Sequence, residues 1–161
     1  MDTDFNALIE AIAARVGITP TDVQDEHERW KVYLPAIDSA DCGEMLLSAV
    51  GLEPDPSVAL GIVLRKIEWI SDHDRQAWID RLPVQKQREY ASRRASELKV
   101  LETRPLAPLL HEGIDESWSD WLQLRLAEFS PEREVASWLS QNGKTKRIRR
   151  IALERLKVLS R

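Results

Sequence analysis

The stretch SQNGKTKRIRR, Ser140 to Arg150, decides the fold class, because its two attractive readings demand different architectures. A phosphate loop, G-x-x-x-x-G-K-[ST], follows a strand and would place the chain among α/β proteins. A short helix, a Gly-containing turn and a basic helix would place it among all-α proteins. Counting back five positions from Gly143 reaches Trp138, where the loop requires glycine. The preceding segment, EVASWLSQ, is spaced as a capped helix rather than a strand. The nucleotide-binding reading fails on both tests. Asn142-Gly143 is expected to stop a helix, since both residues tolerate the left-handed conformation found there.

Working outward, helical periodicity is nearly everywhere and no segment alternates as a strand would. Phe5, Leu8, Ile9, Ile12 and Val16 make one stripe, closed by Gly17. TPTD is expected to start the next helix, with Thr19 as cap and Pro20 in the first turn. Val23, His27, Trp30 and Leu34 then share a face before Pro35. A third helix starts at Asp38 or Ser39 and carries Met45, Leu46, Ala49 and Val50 to Gly51. LEPDPS is the clearest internal boundary, and its Asp55-Pro56 pair opens a helix burying Ala59, Ile62, Val63, Ile67 and Ile70. Ser71 caps a short helix with Ala77, Trp78 and Leu82, stopped by Pro83. A longer helix follows with Tyr90, Ala91, Ala95, Leu98 and Leu101. RPLAPLLHEG is a second break holding one helical turn. Asp115 is expected to start a helix with Trp118, Trp121, Leu122 and Phe129, and Ser130-Pro131 to start one with Val135, Trp138 and Leu139. The last helix runs from Lys144 to Leu159 on Ile148, Ile151, Ala152, Leu156 and Leu159.

Residues 57–101 and 116–159 each read as helix, capping Ser, short Trp-bearing helix and long basic helix, and both end in LKVL. They are expected to be two three-helix units sharing a core with an acidic module over 1–53. The fold class is therefore all-α, with about nine short helices in antiparallel hairpins. Two arrangements satisfy it, a short helical-repeat array or one compact bundle. In general plan the chain resembles HEAT-like helical-repeat proteins, a likeness of architecture that carries no function.

The 161 residues are 43% hydrophobic and 31% charged, the composition of a globular chain. No apolar run approaches the ~20 residues that span a bilayer. The acidic, periodic start MDTDFNALIEAIAARVG is unlike a signal or transit peptide. Lone Cys42 leaves no pair for an internal disulfide or a multi-cysteine zinc site, and a cytoplasmic location is expected. The net charge of −4 conceals an asymmetry. Residues 1–60 hold twelve acids against Arg15, Arg29 and Lys31, giving −9, whereas residues 61–161 hold fifteen acids and twenty bases, giving +5. The last twenty-one residues set eight bases against Glu154.

That basic end offers one candidate site. EVASWLSQNGKTKRIRRIALERLK places a short helix, a Gly-containing turn and a basic helix in helix-turn-helix order over residues 131–160. Its I-R-x-I at Ile148–Ile151 resembles the DNA-reading end of bacterial sigma factors, although the turn is longer than that family's compact pattern. Lys144, Lys146, Arg147, Arg150 and Lys157 are the expected contacts to nucleic acid or to an anionic protein. A stripe of one sign repels itself, so it calls for an anionic partner or an acidic neighbouring surface.

Six tryptophans offer the other. Trp30, Trp78 and Trp138 fit core stripes, Trp69 sits beside the stripe of its helix and Trp118 with Trp121 makes a wide aromatic band, so Trp69, Trp118 and Trp121 are the candidates for a protein-partner surface. Catalytic patterns are poor. His27, His73 and His111 lie in separate segments, and the carboxylates beside them point to different faces of one helix, so neither DEHE nor DHD closes around a metal. Cys42 near a helix start has no evident base. No catalytic residue, metal or cofactor is expected. The expected function is a non-enzymatic adaptor that binds a protein partner or itself. The alternative is a nucleic-acid-binding regulator using the carboxyl-terminal helix pair.

Overall fold

The computed structural model describes residues 3–111 and 117–161, and among them every regular element is helical. The helices are α1 (Thr3–Val16), α2 (Glu26–Asp38), α3 (Gly43–Leu52), α4 (Pro56–Ile67), α5 (Asp72–Asp80), α6 (Gln85–Glu102), α7 (Ala107–His111), α8 (Asp120–Phe129), α9 (Arg133–Asn142) and α10 (Lys146–Leu159). A 3₁₀ turn, Ala40–Cys42, precedes α3. The all-α expectation holds. The chain divides into two compact units, Met1–Ala95 and Ser96–Arg161, with the division inside α6.

The LEPDPS connection lies inside the first unit, whereas the sequence suggests a boundary after residue 53. α1 packs on α2 and α3, and α4 packs on α2, α3 and α5. One core results, built from Phe5, Ile9 and Ile12 with Val32, Tyr33, Leu46, Val50, Ile62 and Val63. What joins the Pro-rich connection to this core is a buried ion pair. Arg29 on α2 donates from Nη2 to Glu53 Oε1 at 2.7 Å and from Nε to Oε2 at 3.1 Å. Its Nη1 donates to the carbonyls of Val23 and Gln24, at 3.0 and 2.8 Å. The Tyr33 hydroxyl donates to Glu53 Oε2 at 2.6 Å, and the Asp55 amide donates to Oε1 at 3.1 Å. Burial, then Glu53, pushes the Tyr33 phenol well above its ordinary pKa. Burial opposes the charge on Arg29, but its bonds to Glu53 outweigh that and raise its pKa.

α2 differs from its expected form at both ends. Its cap is Asp25, whose carboxylate accepts the His27 amide at 2.8 Å, and not Thr19. The reason is local: Asp22 accepts the Gln24 amide at 2.8 Å, a side-chain turn that competes with helix. The Thr21 amide donates to Glu28 at 3.0 Å, which folds the segment back on α2. At the other end the helix runs through Pro35 to Asp38. Pro35 is exposed, on the side where water can satisfy the carbonyl that loses its partner. The buried face is Arg29, Val32, Tyr33, Ala36 and Ile37, so His27 and Leu34 of the expected stripe point outward.

Several junctions form as the sequence predicts. Gly17 takes φ +71° after α1. Asp55 caps α4 by accepting the Ser57 amide at 2.7 Å, with Pro56 in the first turn, and that bond holds the Asp55 carboxyl below its ordinary pKa. Gly61 on α4 is enforced by packing, since a Cβ there would lie 2.8 Å from the Trp30 ring. Arg75, fully buried on α5, donates from Nε to the Ile67 carbonyl at 2.9 Å and so closes the end of α4.

In the second unit α10 packs on both α8 and α9, and α7 packs on α9. Leu106, Trp118, Leu122, Leu126, Val135, Leu139, Ile148 and Ala152 form its core. The expected helix start at Asp115 lies outside the described residues. α8 begins at Asp120 with Ser119 as cap, so Trp118 stands ahead of the helix and turns inward. Ser130 closes α8, while Glu132 is the residue before α9. Glu132 is drawn away from local capping because its carboxylate accepts the Leu106 and Ala107 amides, at 2.8 to 2.9 Å, at the start of α7. Ser71 does occupy the cap position of α5, so the two serines that align the expected repeat are not equivalent.

Candidate functional site

The Ser140–Arg150 stretch forms the end of α9, a three-residue turn and the start of α10. Thr145 caps α10, its Oγ1 accepting the Ile148 amide at 3.1 Å. Gly143 does not adopt the left-handed conformation expected of it; φ is −55° and ψ 137°. Glycine is required there for room. A Cβ would stand 2.7 Å from the Leu139 carbonyl oxygen and 2.8 Å from Ile148 Cγ2. The turn is thus pressed against both helices it joins.

Buried Gln123 on α8 fixes the turn from below. Its Oε1 accepts the Lys144 amide at 3.0 Å and its Nε2 donates to the Trp118 carbonyl at 3.3 Å. The Lys144 ammonium donates to that same Trp118 carbonyl, so this candidate contact is engaged inside its own unit. Other bases are similarly occupied. Arg149 donates to the Gly143 carbonyl, Arg155 to the Ser130 carbonyl at 3.0 Å, and Lys157 pairs with Glu154 at 2.8 Å. Lys146, Arg147 and Arg150 remain exposed, and no acidic side chain among the described residues pairs with them. Of the five predicted basic contacts, these three form an exposed cluster without a partner among the described residues.

The three candidate tryptophans fall in three environments. Trp118 is 7% exposed and packs edge-on against Trp138 with ring centroids 6.5 Å apart, which removes it from any contact surface. Trp121 is half-buried, and the Arg125 guanidinium lies over its ring at 5.6 Å and over Phe129 at 5.8 Å. Phe129, expected in the core, is 63% exposed. Trp69 is 80% exposed. It borders a groove of about 580 Å³ lined also by Leu34, Pro35, Ile37, Asp38, Arg65 and Glu68, between α2 and the end of α4.

Sequence reasoning missed Leu34 and Pro35 as surface residues, because helical spacing from Val23 puts Leu34 inside. It also missed Arg29 and Glu53, the buried pair that orients α2 and thereby this groove. One signal was available: Arg29 is one of only three bases among the first sixty residues. Its partner, twenty-four positions away, could not be read from spacing.

Neither histidine cluster closes. His27 lies outward with Nδ1 3.4 Å from Asp25 and 3.7 Å from Glu26. Among the described residues no group of three or more His, Cys, Asp or Glu converges as metal ligands do. Cys42 is buried at the turn before α3. Among the described residues no helix is long and apolar enough to cross a membrane. No family model, no curated protein and no solved structure matches the chain.

Proposed function

We propose that the chain is a non-enzymatic interaction module that docks a protein partner in the groove between α2 and α4. The observation that carries this reading is the 80% exposure of Trp69 beside Leu34, itself 42% exposed. A tryptophan presents about 200 Å² of surface. Covering four-fifths of it at about 25 cal/mol per Å² contributes ~4 kcal/mol, the scale of a single hot-spot residue. Asp38, Arg65 and Glu68 around the groove supply the polar rim that surrounds such an anchor.

The test compares wild type with Trp69→Ala, both checked for unchanged helix content. Affinity capture from source lysate and sedimentation velocity are run side by side, the second to reveal pairing of the chain with itself. The reading expects a captured protein, or a concentration-dependent dimer, that Trp69→Ala loses. It is overturned if the variant captures the same proteins as wild type. It is equally overturned if wild type captures none and stays monomeric to about 100 μM.

A further inference from the structure

The second unit carries a feature that the Trp69 groove does not use. Four of the eight bases in the carboxyl-terminal segment have internal partners: Lys144, Arg149 and Arg155 bond backbone carbonyls and Lys157 bonds Glu154. Lys146, Arg147 and Arg150 have none among the described residues. They occupy positions one, three and four apart at the start of α10, so their side chains spread over one patch of its outer face. There is no acidic residue in the first turn of α10. The arrangement is locally unfavourable, because the three cations repel one another and also meet the positive end of the helix dipole. A polyanion laid across the patch relieves both costs.

The shape behind the patch narrows the choice of polyanion. α10 rests on α8 and α9 and follows α9 through a three-residue turn containing Gly143. A helix, a short Gly-containing turn and a second helix with cations in its first half is the order of elements in motifs that seat the second helix in a DNA major groove. A lipid surface is disfavoured, since the apolar face of α10, Ile148 and Ala152, is buried in the unit. α10 contains no aromatic side chain on which unpaired bases could stack, which disfavours single strands. An acidic protein partner needs an apolar anchor amid the cations, and the nearest large exposed one on α10, Leu153, stands about one turn beyond Arg150.

We infer that the α9–turn–α10 pair binds duplex DNA through its phosphates, with Lys146, Arg147 and Arg150 as the contacts. The overall charge of −4 makes this a local site rather than attraction of the whole chain. Three neutralised phosphates predict a slope of about −2.7 for log K against log salt, and affinity in the weak non-specific range of roughly 10⁻⁴ to 10⁻⁶ M at physiological salt.

The test uses fluorescence anisotropy of a labelled 20-base-pair duplex with the full chain, from about 20 to 200 mM KCl. The expected results are that slope, a loss of about 0.9 from it for each of Lys146→Gln, Arg147→Gln and Arg150→Gln, and no change for Lys86→Gln on α6. All three positions are exposed, and circular dichroism is used to check that each variant keeps its helices. Absence of duplex binding at the lowest salt overturns the inference, as does binding that survives the triple variant. Tighter binding of the matching single strand, or equal binding of a poly-aspartate peptide, overturns it in favour of another polyanion. None of these outcomes bears on Trp69, and Trp69→Ala is expected to leave the slope unchanged.

Discussion

Arg29 and Glu53 meet in a two-pronged ion pair, 2.7 and 3.1 Å, with the Arg29 side chain 3% exposed and that of Glu53 fully buried. The pair holds three chain segments at once, because Arg29 also takes the Val23 and Gln24 carbonyls while Glu53 takes the Tyr33 hydroxyl and the Asp55 amide. Removing one partner strands the other charge away from water. Glu53→Gln and Arg29→Met are each expected to destabilise the first unit by about 3 to 5 kcal/mol. Their combination is expected to cost less than the sum, because the two residues touch. Urea denaturation followed by circular dichroism measures this, and additive losses would contradict a shared network.

Gly17 and Gly143 are glycines for different reasons, and substitution separates them. Gly17 has φ +71° with nothing within 4 Å of where a Cβ would stand, whereas Gly143 has an ordinary φ and no space. Gly17→Asn is expected to cost little, since asparagine visits the left-handed region. Gly143→Ala is expected to destabilise the second unit by about 1 to 3 kcal/mol, through contact with the Leu139 carbonyl and Ile148. Thermal melts of the two variants test the contrast.

Glu28 gives the first unit an acid dependence. The Lys31 ammonium and the Thr21 amide bond its carboxylate and lower its pKa from 4.5 to about 2. A depressed folded-state pKa contributes stability that is fully present above the unfolded value and lost as pH falls toward the folded one. The difference in melting temperature between wild type and Glu28→Gln is therefore expected to be constant above about pH 5 and to shrink between pH 4.5 and 2. A difference that stays level across this range would contradict the bonding at Glu28.

Trp69 and Trp118 should part company under substitution. Trp118→Ala empties a core position and is expected to cost about 3 to 5 kcal/mol. Trp69→Ala removes an exposed ring and is expected to change stability by no more than about 0.5 kcal/mol. Iodide quenching adds an independent readout, because Trp69→Phe is expected to remove the most accessible fluorescence of the six tryptophans.

Element type was legible wherever the chemistry is local. Asp55-Pro56 opens α4, Gly17 ends α1, and the Ile148–Ala152 stripe faces inward because caps and helical spacing act within a few residues. Expectation and structure part where a distant or competing group intervenes. Glu132 is drawn from its own helix to α7, Asp22 forms a turn in place of helix, and Arg29 takes the buried face of α2 that helical spacing offers to His27 and Leu34.

The candidate surfaces divide along the same line. From the sequence alone came the all-helical class, the failure of the phosphate loop at Trp138, and the excess of bases behind Gly143. Composition and period fix these, because they depend on neighbouring residues. Only the tertiary structure decided which cations are free and which tryptophan is bare. Lys144 reaches the Trp118 carbonyl twenty-six residues away, Arg155 reaches Ser130, and Trp118 turns inward while Trp69 does not. A side chain is engaged or available according to what packs against it, and packing brings together residues whose separation along the chain carries no periodic signal.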